Sequence, residues 1–268
     1  TVSIALAVTG SLTFWPIQHV YDFYKPIVLF LGGYLATVII LFLIIFLIGN
    51  IFYSKDKEYD KPSKFARVIF IWVLDFVDRH AGIKLAIKGR NKFPTTERFL
   101  LVCNHRSNYD PIISWYVFRK YTPAYISKPE NFNVPIYGRM IRKCCFMAID
   151  RKNPRNSMGT IIRATKLIKS NEVSVAVYPE GTRSKKLHLL KFHNGVFKIA
   201  QKAEVPVVIA TIQGTEKAKD NYPWKSTLVR INVVKVIDAE HVKSIKTAAL
   251  ADEVRELMEK DLEENKLA

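Results

Sequence analysis

Charge is nearly absent from the first 54 residues of this 268-residue chain. Asp22 and Lys25 are the only charged residues there and they cancel, so the net charge of +17 is carried by residues 55–268. No residue between Pro26 and Ser54 is charged, and a membrane span needs only ~20 consecutive apolar residues. We expect residues 1–54 to form a transmembrane anchor. The lysines that follow it, from Lys55 onward, predict an integral membrane protein whose C-terminal domain lies on the cytoplasmic face.

Residues 1–16 leave the number of spans open. A helix of this length is ~22 Å long, shorter than a ~30 Å hydrocarbon core. Extension to Tyr21 would complete a second span and give a helical hairpin, and otherwise the segment is shallow or re-entrant. The lack of positive charge before it argues against a signal peptide.

Cysteine is also scarce. Cys103, Cys144 and Cys145 are odd in number and lack the spacing of a disulfide framework or a zinc site. We therefore expect reduced, buried thiols in a cytosolic protein.

The basic charge fits an anionic membrane surface, an anionic substrate or nucleic acid. The apolar N-terminus favours the first two, and basic residues alternate with aromatic ones only around Tyr116–Tyr121, so nucleic acid is not an expected partner.

The stretch 65–77 is rich in large apolar residues with charges at its ends. It predicts a helix that either lies in the membrane interface or packs on the domain. We accordingly divide the chain into an anchor (residues 1–54), an interfacial or packing helix (55–80) and an α/β domain (81–268).

The remaining sequence alternates between strand and helix patterns. Unbroken apolar runs at 99–103, 173–178 and 205–211 predict buried strands, 83–89 predicts a strand that ends at a turn, and 228–237 predicts an edge or half-exposed strand. Helices are predicted at 111–120, 156–170 and 247–264. This order predicts an α/β fold with a largely parallel sheet flanked by helices, whose functional loops leave the carboxyl ends of the strands.

The first such loop holds His105 and Asp110. Because Asp110 precedes Pro111, one interpretation is a helix N-cap followed by proline at the first helical position. The other is a catalytic pair, in which the carboxylate fixes one imidazole nitrogen and the second nitrogen accepts a proton from a hydroxyl. Both roles can coexist.

The second loop reads Tyr-Pro-Glu-Gly-Thr-Arg-Ser over residues 178–184. Gly181 permits close approach of the backbone, and Arg183 can bind an anion through two nitrogens. Two weaker signals are Arg151, at the end of a short apolar strand, and Lys128. The alternative for each cation is a solvated surface residue.

These candidates comprise one base, one orienting carboxylate and several cations. No serine or cysteine lies in a nucleophile elbow, and neither GxGxxG nor a Walker sequence is present. A base with phosphate-binding cations on an anchored domain suggests transfer to a hydroxyl of a phosphorylated lipid.

The order of these motifs resembles the glycerolipid acyltransferase family, especially its 1-acyl-sn-glycerol-3-phosphate acyltransferases. The resemblance covers roughly residues 80–240 and lies chiefly in His105 with Asp110 and in Glu180-Gly181-Thr182-Arg183. It implies that phosphatidic acid is formed from lysophosphatidic acid, with acyl-CoA or acyl carrier protein as co-substrate and no metal or other cofactor. Two departures concern the acceptor. Val205-Pro206 lacks a later second proline, and His193 stands where a lysine is common.

The resemblance also implies a role for each site residue. His105 would be the general base and Asp110 would orient it, while Arg151 and Arg183 would hold the phosphate. Glu180, Gly181 and Thr182 would shape the acceptor site, Lys128 would be a further phosphate contact, and backbone N–H groups near the histidine loop would stabilise the oxyanion. Two alternatives remain: the same chemistry on glycerol 3-phosphate, another lysophospholipid or a lyso-aminolipid, and a non-catalytic module that binds anionic lipid.

Overall fold

The computed structural model describes residues 18–52, 57–94, 98–150, 154–184 and 188–267, together with Thr9 and Thr13. It divides the chain into two compact units, Thr1–Lys55 and Asp56–Ala268. In the first unit a short 3₁₀ turn leads into helix α1 (Tyr24–Phe52). Its segment Tyr24–Ile44 is long and apolar enough to cross a membrane. Residues 1–16 lie outside the described residues, apart from Thr9 and Thr13. A second span there stays a prediction.

The second unit is built on one mixed sheet. Its strands are β1 (Ile83–Lys88), β2 (Leu100–Cys103), β3 (Pro123–Ser127), β4 (Met147–Ala148), β5 (Ser174–Val177), β6 (Val207–Gln213) and β7 (Thr227–Ile237). Their spatial order is β1-β7-β6-β2-β5-β3-β4. Only the β6–β7 pairing is antiparallel among these strands. The prediction of a largely parallel sheet flanked by helices is therefore confirmed.

Helices cover both faces of this sheet. They are α2 (Lys64–His80), α3 (Tyr109–Phe118), α4 (Tyr137–Lys143), α5 (Pro154–Lys169), α6 (Lys198–Ala203), α7 (Ala218–Asn221), α8 (Ala239–Ser244) and α9 (Thr247–Glu264). Alternate residues of β2 enter opposite cores. Leu100 and Val102 join the apolar cluster beneath α5, α6 and α9, whereas Leu101 and Cys103 join the cluster beneath α2, α3 and α4. Burial on both faces explains why the sequence of β2 is continuously apolar.

Some boundaries and strand positions differ from the sequence-based prediction. The helix predicted at 111–120 begins earlier, at Tyr109, and β3 was missed. The half-exposed character predicted for 228–237 is present in β7, but β7 is an interior strand because β1 pairs with its second edge. The alternation arises because only one face of β7 is fully covered, and alternation alone does not show whether a strand has one neighbour or two.

Candidate active site

Three neighbouring strands end at the candidate site. β2 lies between β5 and β6 and runs parallel to both. The loop after β2 carries His105, the loop after β5 carries Glu180, and the loop after β6 carries Thr215. Because the carboxyl ends of parallel strands lie at one edge of a sheet, residues far apart in sequence meet here.

His105 and Asp110 form a hydrogen-bonded pair. His105 Nδ1 lies 2.8 Å from Asp110 Oδ2. The Asp110 side chain is fully buried, whereas 18% of the His105 side chain is exposed. Since Nδ1 donates to the carboxylate, Nε2 is the nitrogen that can exchange a proton with a bound molecule. The structure thus brings together the two residues predicted as a catalytic pair.

Asp110 is not the N-cap of α3, so that part of the sequence interpretation is wrong. Asn108 occupies the N-cap position, which makes Asp110 the second residue of the helix and Pro111 the third. Instead of bonding to the helix, Asp110 Oδ2 accepts hydrogen bonds from the preceding backbone N–H groups of Arg106 (2.6 Å) and Ser107 (2.7 Å). The carboxylate therefore turns back toward the loop and shapes it around His105. Pro111 is still tolerated because the N–H groups of the first helical turn have no intrahelical acceptor.

Thr215 completes the surroundings of Asp110. Its hydroxyl donates to Asp110 Oδ1 at 2.5 Å, and Thr215 is completely buried. Both carboxylate oxygens consequently have donors, which holds the carboxylate in one orientation.

Two further side chains fix the histidine loop to the sheet. Asn104 bonds through its amide group to both the backbone N–H and the carbonyl of Ile212 in β6. Glu180 Oε1 accepts from the His105 backbone N–H at 2.7 Å, and Glu180 Oε2 accepts from the Leu190 N–H at 2.9 Å. Burial raises the pKa of Glu180, and these two hydrogen bonds oppose that rise. Both oxygens of Glu180 are thus occupied in shaping the loop.

Tyr178 supports the imidazole ring from the side. The two ring centroids are 4.5 Å apart and the planes are inclined by 26°, a stacked arrangement. The Tyr178 hydroxyl lies 2.9 Å from Ser114 Oγ, which also donates to the Asp110 carbonyl at 2.6 Å. Burial raises the pKa of Tyr178 well above its usual range, so the hydroxyl remains protonated. The His105 ring is therefore held by Asp110 at one nitrogen and by Tyr178 on one face.

An apolar cavity of about 300 Å³ borders Tyr178. Tyr178, Pro179 and Gly181 form part of its wall. Most of the remaining wall is hydrophobic, with His193, Asn194 and Ser157 as polar members, and its apolar side chains are Ile126, Ile149, Ile161, Val177 and Val196. A cavity of this composition accommodates an apolar chain beside Tyr178, the residue that stacks on His105.

The predicted phosphate-binding residues are less closely defined. Thr182 and Arg183 directly follow Gly181 and are exposed. Lys128 is exposed and follows β3, the parallel neighbour of β5, so it leaves the sheet at the same edge. Arg151 lies outside the described residues. His193 is exposed and also borders the cavity.

The site has the components of a general base. An imidazole with one nitrogen bound to a buried carboxylate can take a proton from a hydroxyl and return it to a leaving group. Backbone N–H groups near the histidine loop are the expected oxyanion donors, but those of His105, Arg106 and Ser107 are directed at carboxylates. In this structure they position the base.

Comparison with known proteins assigns this region to a family. Residues 84–213 match the family model named Acyltransferase. The chain carries an acyltransferase-family domain. The acyltransferase domain contains every candidate site residue named above except Thr215, which follows its last matched residue by two positions.

Relatives of known name share this similarity. A 1-acyl-sn-glycerol-3-phosphate acyltransferase from Cocos nucifera is 27% identical over 73% of this chain and 58% of its own length. The protein of the same name from Escherichia coli is 25% identical over 68% of this chain and 74% of its own. The alpha form from Ovis aries is 27% identical over 66% of this chain and 62% of its own. The chain thus spans less than two thirds of two of these relatives.

A solved structure shares the fold. The crystal structure of the 1-acyl-sn-glycerophosphate acyltransferase from Thermotoga maritima aligns with a TM-score of 0.61 and 19% sequence identity. The alignment covers 100% of this chain and 95% of that chain. At this identity the likeness concerns the fold alone.

Sequence reasoning gave no role to Thr215, Tyr178 or Ser114. Tyr178 lies inside a recognised motif, and its place directly before Pro179-Glu180 was an available signal. Thr215 follows the buried strand β6 after one glycine. It thus lies just past the carboxyl end of its strand, as His105 and Glu180 do. A search of all three strand ends for polar residues would have found it.

Proposed function

We propose that this chain transfers an acyl group from an acyl thioester to the 2-hydroxyl of lysophosphatidic acid and so forms phosphatidic acid. The observation that carries the proposal is the contact between His105 Nδ1 and the buried Asp110 carboxylate, within a domain of the acyltransferase family. The names of the similar proteins support the choice of acceptor.

His105 is the general base in the proposed reaction. Nε2 takes the proton of the acceptor 2-hydroxyl as that oxygen attacks the thioester carbonyl carbon. The tetrahedral intermediate then collapses, the carbon–sulfur bond breaks, and the imidazolium returns the proton to the leaving thiolate. Asp110 remains ionised throughout and stabilises the imidazolium.

The surrounding residues bind the two substrates. The cavity beside Tyr178 takes an apolar chain, while Arg183, Arg151 and Lys128 neutralise the acceptor phosphate. Gly181 and Thr182 shape the acceptor site, and Glu180 acts by holding the His105 loop. The donor is acyl-CoA or acyl carrier protein. This chemistry needs neither a metal nor another cofactor.

Membrane attachment fits these substrates. We propose that α1 crosses the bilayer and that the acyltransferase domain lies on the cytoplasmic face, because lysines follow α1 and the net charge of +17 lies in residues 55–268. Acceptor and product then remain in the bilayer, next to a basic domain that attracts their head groups.

The deciding experiment is an acyl-transfer assay on detergent-purified protein with lysophosphatidic acid and labelled oleoyl-CoA. We expect His105→Ala to lower the rate by roughly 10²–10⁴-fold, the contribution typical of a general base. His241→Ala, in the surface helix α8 and outside the motifs, is the matched control and should retain activity. Equal activity of His105→Ala and wild type would refute the mechanism.

The acceptor is tested in the same assay. We expect Arg183→Ala to raise KM for lysophosphatidic acid and to have little effect with a lyso-acceptor that has no phosphate group. Preference of the wild type for the phosphate-free acceptor would leave the acyl transfer intact and overturn the assignment of lysophosphatidic acid. Failure of the wild type with every acceptor and with both donor types would favour a non-catalytic lipid-binding module.

A further inference from the structure

Helix α2 has two opposite apolar faces, and only one is used by the fold. Its buried positions are Ala66, Phe70, Leu74 and Asp78. Its exposed large apolar residues are Phe65, Val68, Trp72 and Phe76, which we call the outer face. With ~100° of rotation per residue, the two sets lie on opposite sides of the helix.

The inner side fixes α2 firmly to the acyltransferase domain. The Phe70 ring packs edge-on against Trp115 with centroids 4.7 Å apart. Arg67 donates to the Arg119 carbonyl at 2.7 Å, and Tyr116 donates to Asp75 at 3.1 Å. The outer face is therefore a fixed surface of the folded domain.

The outer face is unusually apolar for a surface in contact with water. Phe65 is 58% exposed, Val68 53%, Trp72 75% and Phe76 45%. Scattered single apolar residues are normal on protein surfaces, but a contiguous aromatic group on one helix face indicates an interaction site. Tryptophan and phenylalanine opposite a packed face are typical of helices that lie in the membrane interface.

Two further observations favour lipid over a protein partner. Residues 53–63 alone connect α1 to α2, and twelve peptide steps reach at most ~40 Å, so the proposed span of α1 would tether α2 within that distance of the bilayer. Cations also lie at both ends of the outer face, with Lys64 beside Phe65 and Arg79 one turn after Phe76. Arg79 pairs with Asp75 at 2.8 Å but remains largely exposed. This arrangement suits an apolar contact bordered by anionic head groups.

We infer that the outer face of α2 docks into the head-group region of the bilayer and holds the acyltransferase domain against the membrane. This inference rests on the membrane anchoring proposed above and adds a second contact to it. Docking would fix which side of the domain faces the lipid, so that the acceptor need not leave the bilayer surface to reach the site.

The native thiols allow a specific test. Cys103, Cys144 and Cys145 are buried. Burial raises the pKa of Cys144 and of Cys145 to about 12 and that of Cys103 still further. An introduced exposed cysteine is therefore the preferred target for a maleimide label. The probe is Val68→Cys carrying the environment-sensitive fluorophore NBD, in the full chain reconstituted into phosphatidylcholine–phosphatidylglycerol vesicles.

The matched control is Leu228→Cys in β7, an apolar residue that is 50% exposed. We expect NBD at position 68 to emit at shorter wavelength than at position 228 and to be quenched severalfold more strongly by doxyl-labelled lipid. Iodide in the water should quench it less. Adding Trp72→Glu to Val68→Cys should return the signal toward that of the control, whereas Trp72→Phe should preserve it.

The contrary outcomes are equally clear. Equal quenching at positions 68 and 228, or failure of the chain to float with the vesicles, would overturn the inference. A third outcome would also overturn it: NBD at position 68 is protected from iodide only as protein density in the vesicles rises, and doxyl-labelled lipid does not quench it. That result would assign the outer face to a second copy of the chain. None of these readings depends on acyl transfer, so they separate this inference from the enzymatic one.

Discussion

Thr215 Oγ1 donates a hydrogen bond to Asp110 Oδ1, while Oδ2 of the same carboxylate faces His105. Thr215 lies just after β6 and Asp110 lies in the first turn of α3, which follows the neighbouring strand β2, and their contact spans 105 positions of sequence. The orientation of Asp110 therefore depends on a strand that its own motif does not contain.

Replacement of this hydroxyl should disturb the base without removing it. In Thr215→Val one oxygen of a buried carboxylate loses its donor, which costs ~1–3 kcal/mol. We expect kcat to fall roughly 10- to 100-fold, with KM for both substrates little changed, because the substrate-binding residues stay in place. Thr215→Ser is the control and should retain most of the rate. A fall of kcat in both variants alike would mean that the methyl group matters more than the hydrogen bond.

The charge of Asp110 can be removed without changing its shape. In Asp110→Asn the amide oxygen still accepts from Arg106 and Ser107, and the new NH₂ group faces Thr215, whose hydroxyl can rotate to accept. The imidazolium would lose its counter-charge, so we expect kcat to fall by ~10²–10⁴-fold while the melting temperature changes little. Steady-state kinetics and thermal unfolding together test this. Full activity would show that the pair does not act through charge.

Glu180 should behave as a positioning residue. In Glu180→Gln one carboxylate oxygen becomes a donor, so the N–H of His105 or of Leu190 loses its acceptor. We expect a loss of ~1–3 kcal/mol in the free energy of unfolding, together with a lower kcat that is not accompanied by a specific rise in KM for the acceptor.

Glu130→Gln, at an exposed position after β3, is the matched control for Glu180. It should change neither the melting temperature nor kcat. An effect of Glu180→Gln on acceptor KM alone would instead assign Glu180 to direct contact with the acceptor.

Asp78 should make stability depend on pH. It lies on the buried side of α2, neither oxygen has a hydrogen-bond partner, and burial followed by the charge of Asp75 raises its pKa to about 7. Since the pKa in the unfolded chain is 3.8, the folded state retains a proton that the unfolded state releases. Stability should therefore fall as pH rises from about 4 to about 7 and stay low above that.

Asp78→Asn removes this dependence. We expect it to raise the melting temperature by several degrees at pH 8 and by less at pH 5, measured by thermal unfolding in one detergent. Glu204→Gln is the contrasting control, because the hydrogen bond from Lys243 lowers the pKa of Glu204 and neither group acts on Asp78. The contribution of Glu204 is present at neutral pH and is lost on acidification, so Glu204→Gln should not stabilise the protein at pH 8.

Local patterns identified most of the fold. Unbroken apolar runs marked β2, β5 and β6 because strands buried on both faces need apolar residues at every position, and α9 was predicted with its observed bounds, Thr247–Glu264. β3 was missed because its five residues contain proline and serine, and short 3₁₀ turns lie on both sides of it. The interior position of β7 is a property of pairing, which alternation does not encode.

In the site, likewise, only the residues that belong to short local motifs were predicted. His105 and Asp110 lie five residues apart, and Glu180 belongs to a compact motif, so all three were found. The prediction that Asp110 is an N-cap was wrong because its carboxylate accepts from the N–H groups of Arg106 and Ser107, which precede the helix. Whether the carboxylate bonds to these N–H groups or to those of the first helical turn depends on the loop conformation. Thr215 was missed because its partner is fixed by the order of strands in the sheet.

The order of strands also determines when activity can first appear during synthesis. β2 is made early, but its partners β5 and β6 follow about 70 and 100 residues later. Until then the nascent chain exposes two unpaired edges of an entirely apolar strand, which invites association with other chains. A chain that ends before residue 207 would contain His105 and Asp110 but would lack β6, which pairs with the strand before their loop. The proposed acyl transfer would therefore begin only after β6 has been added to the sheet.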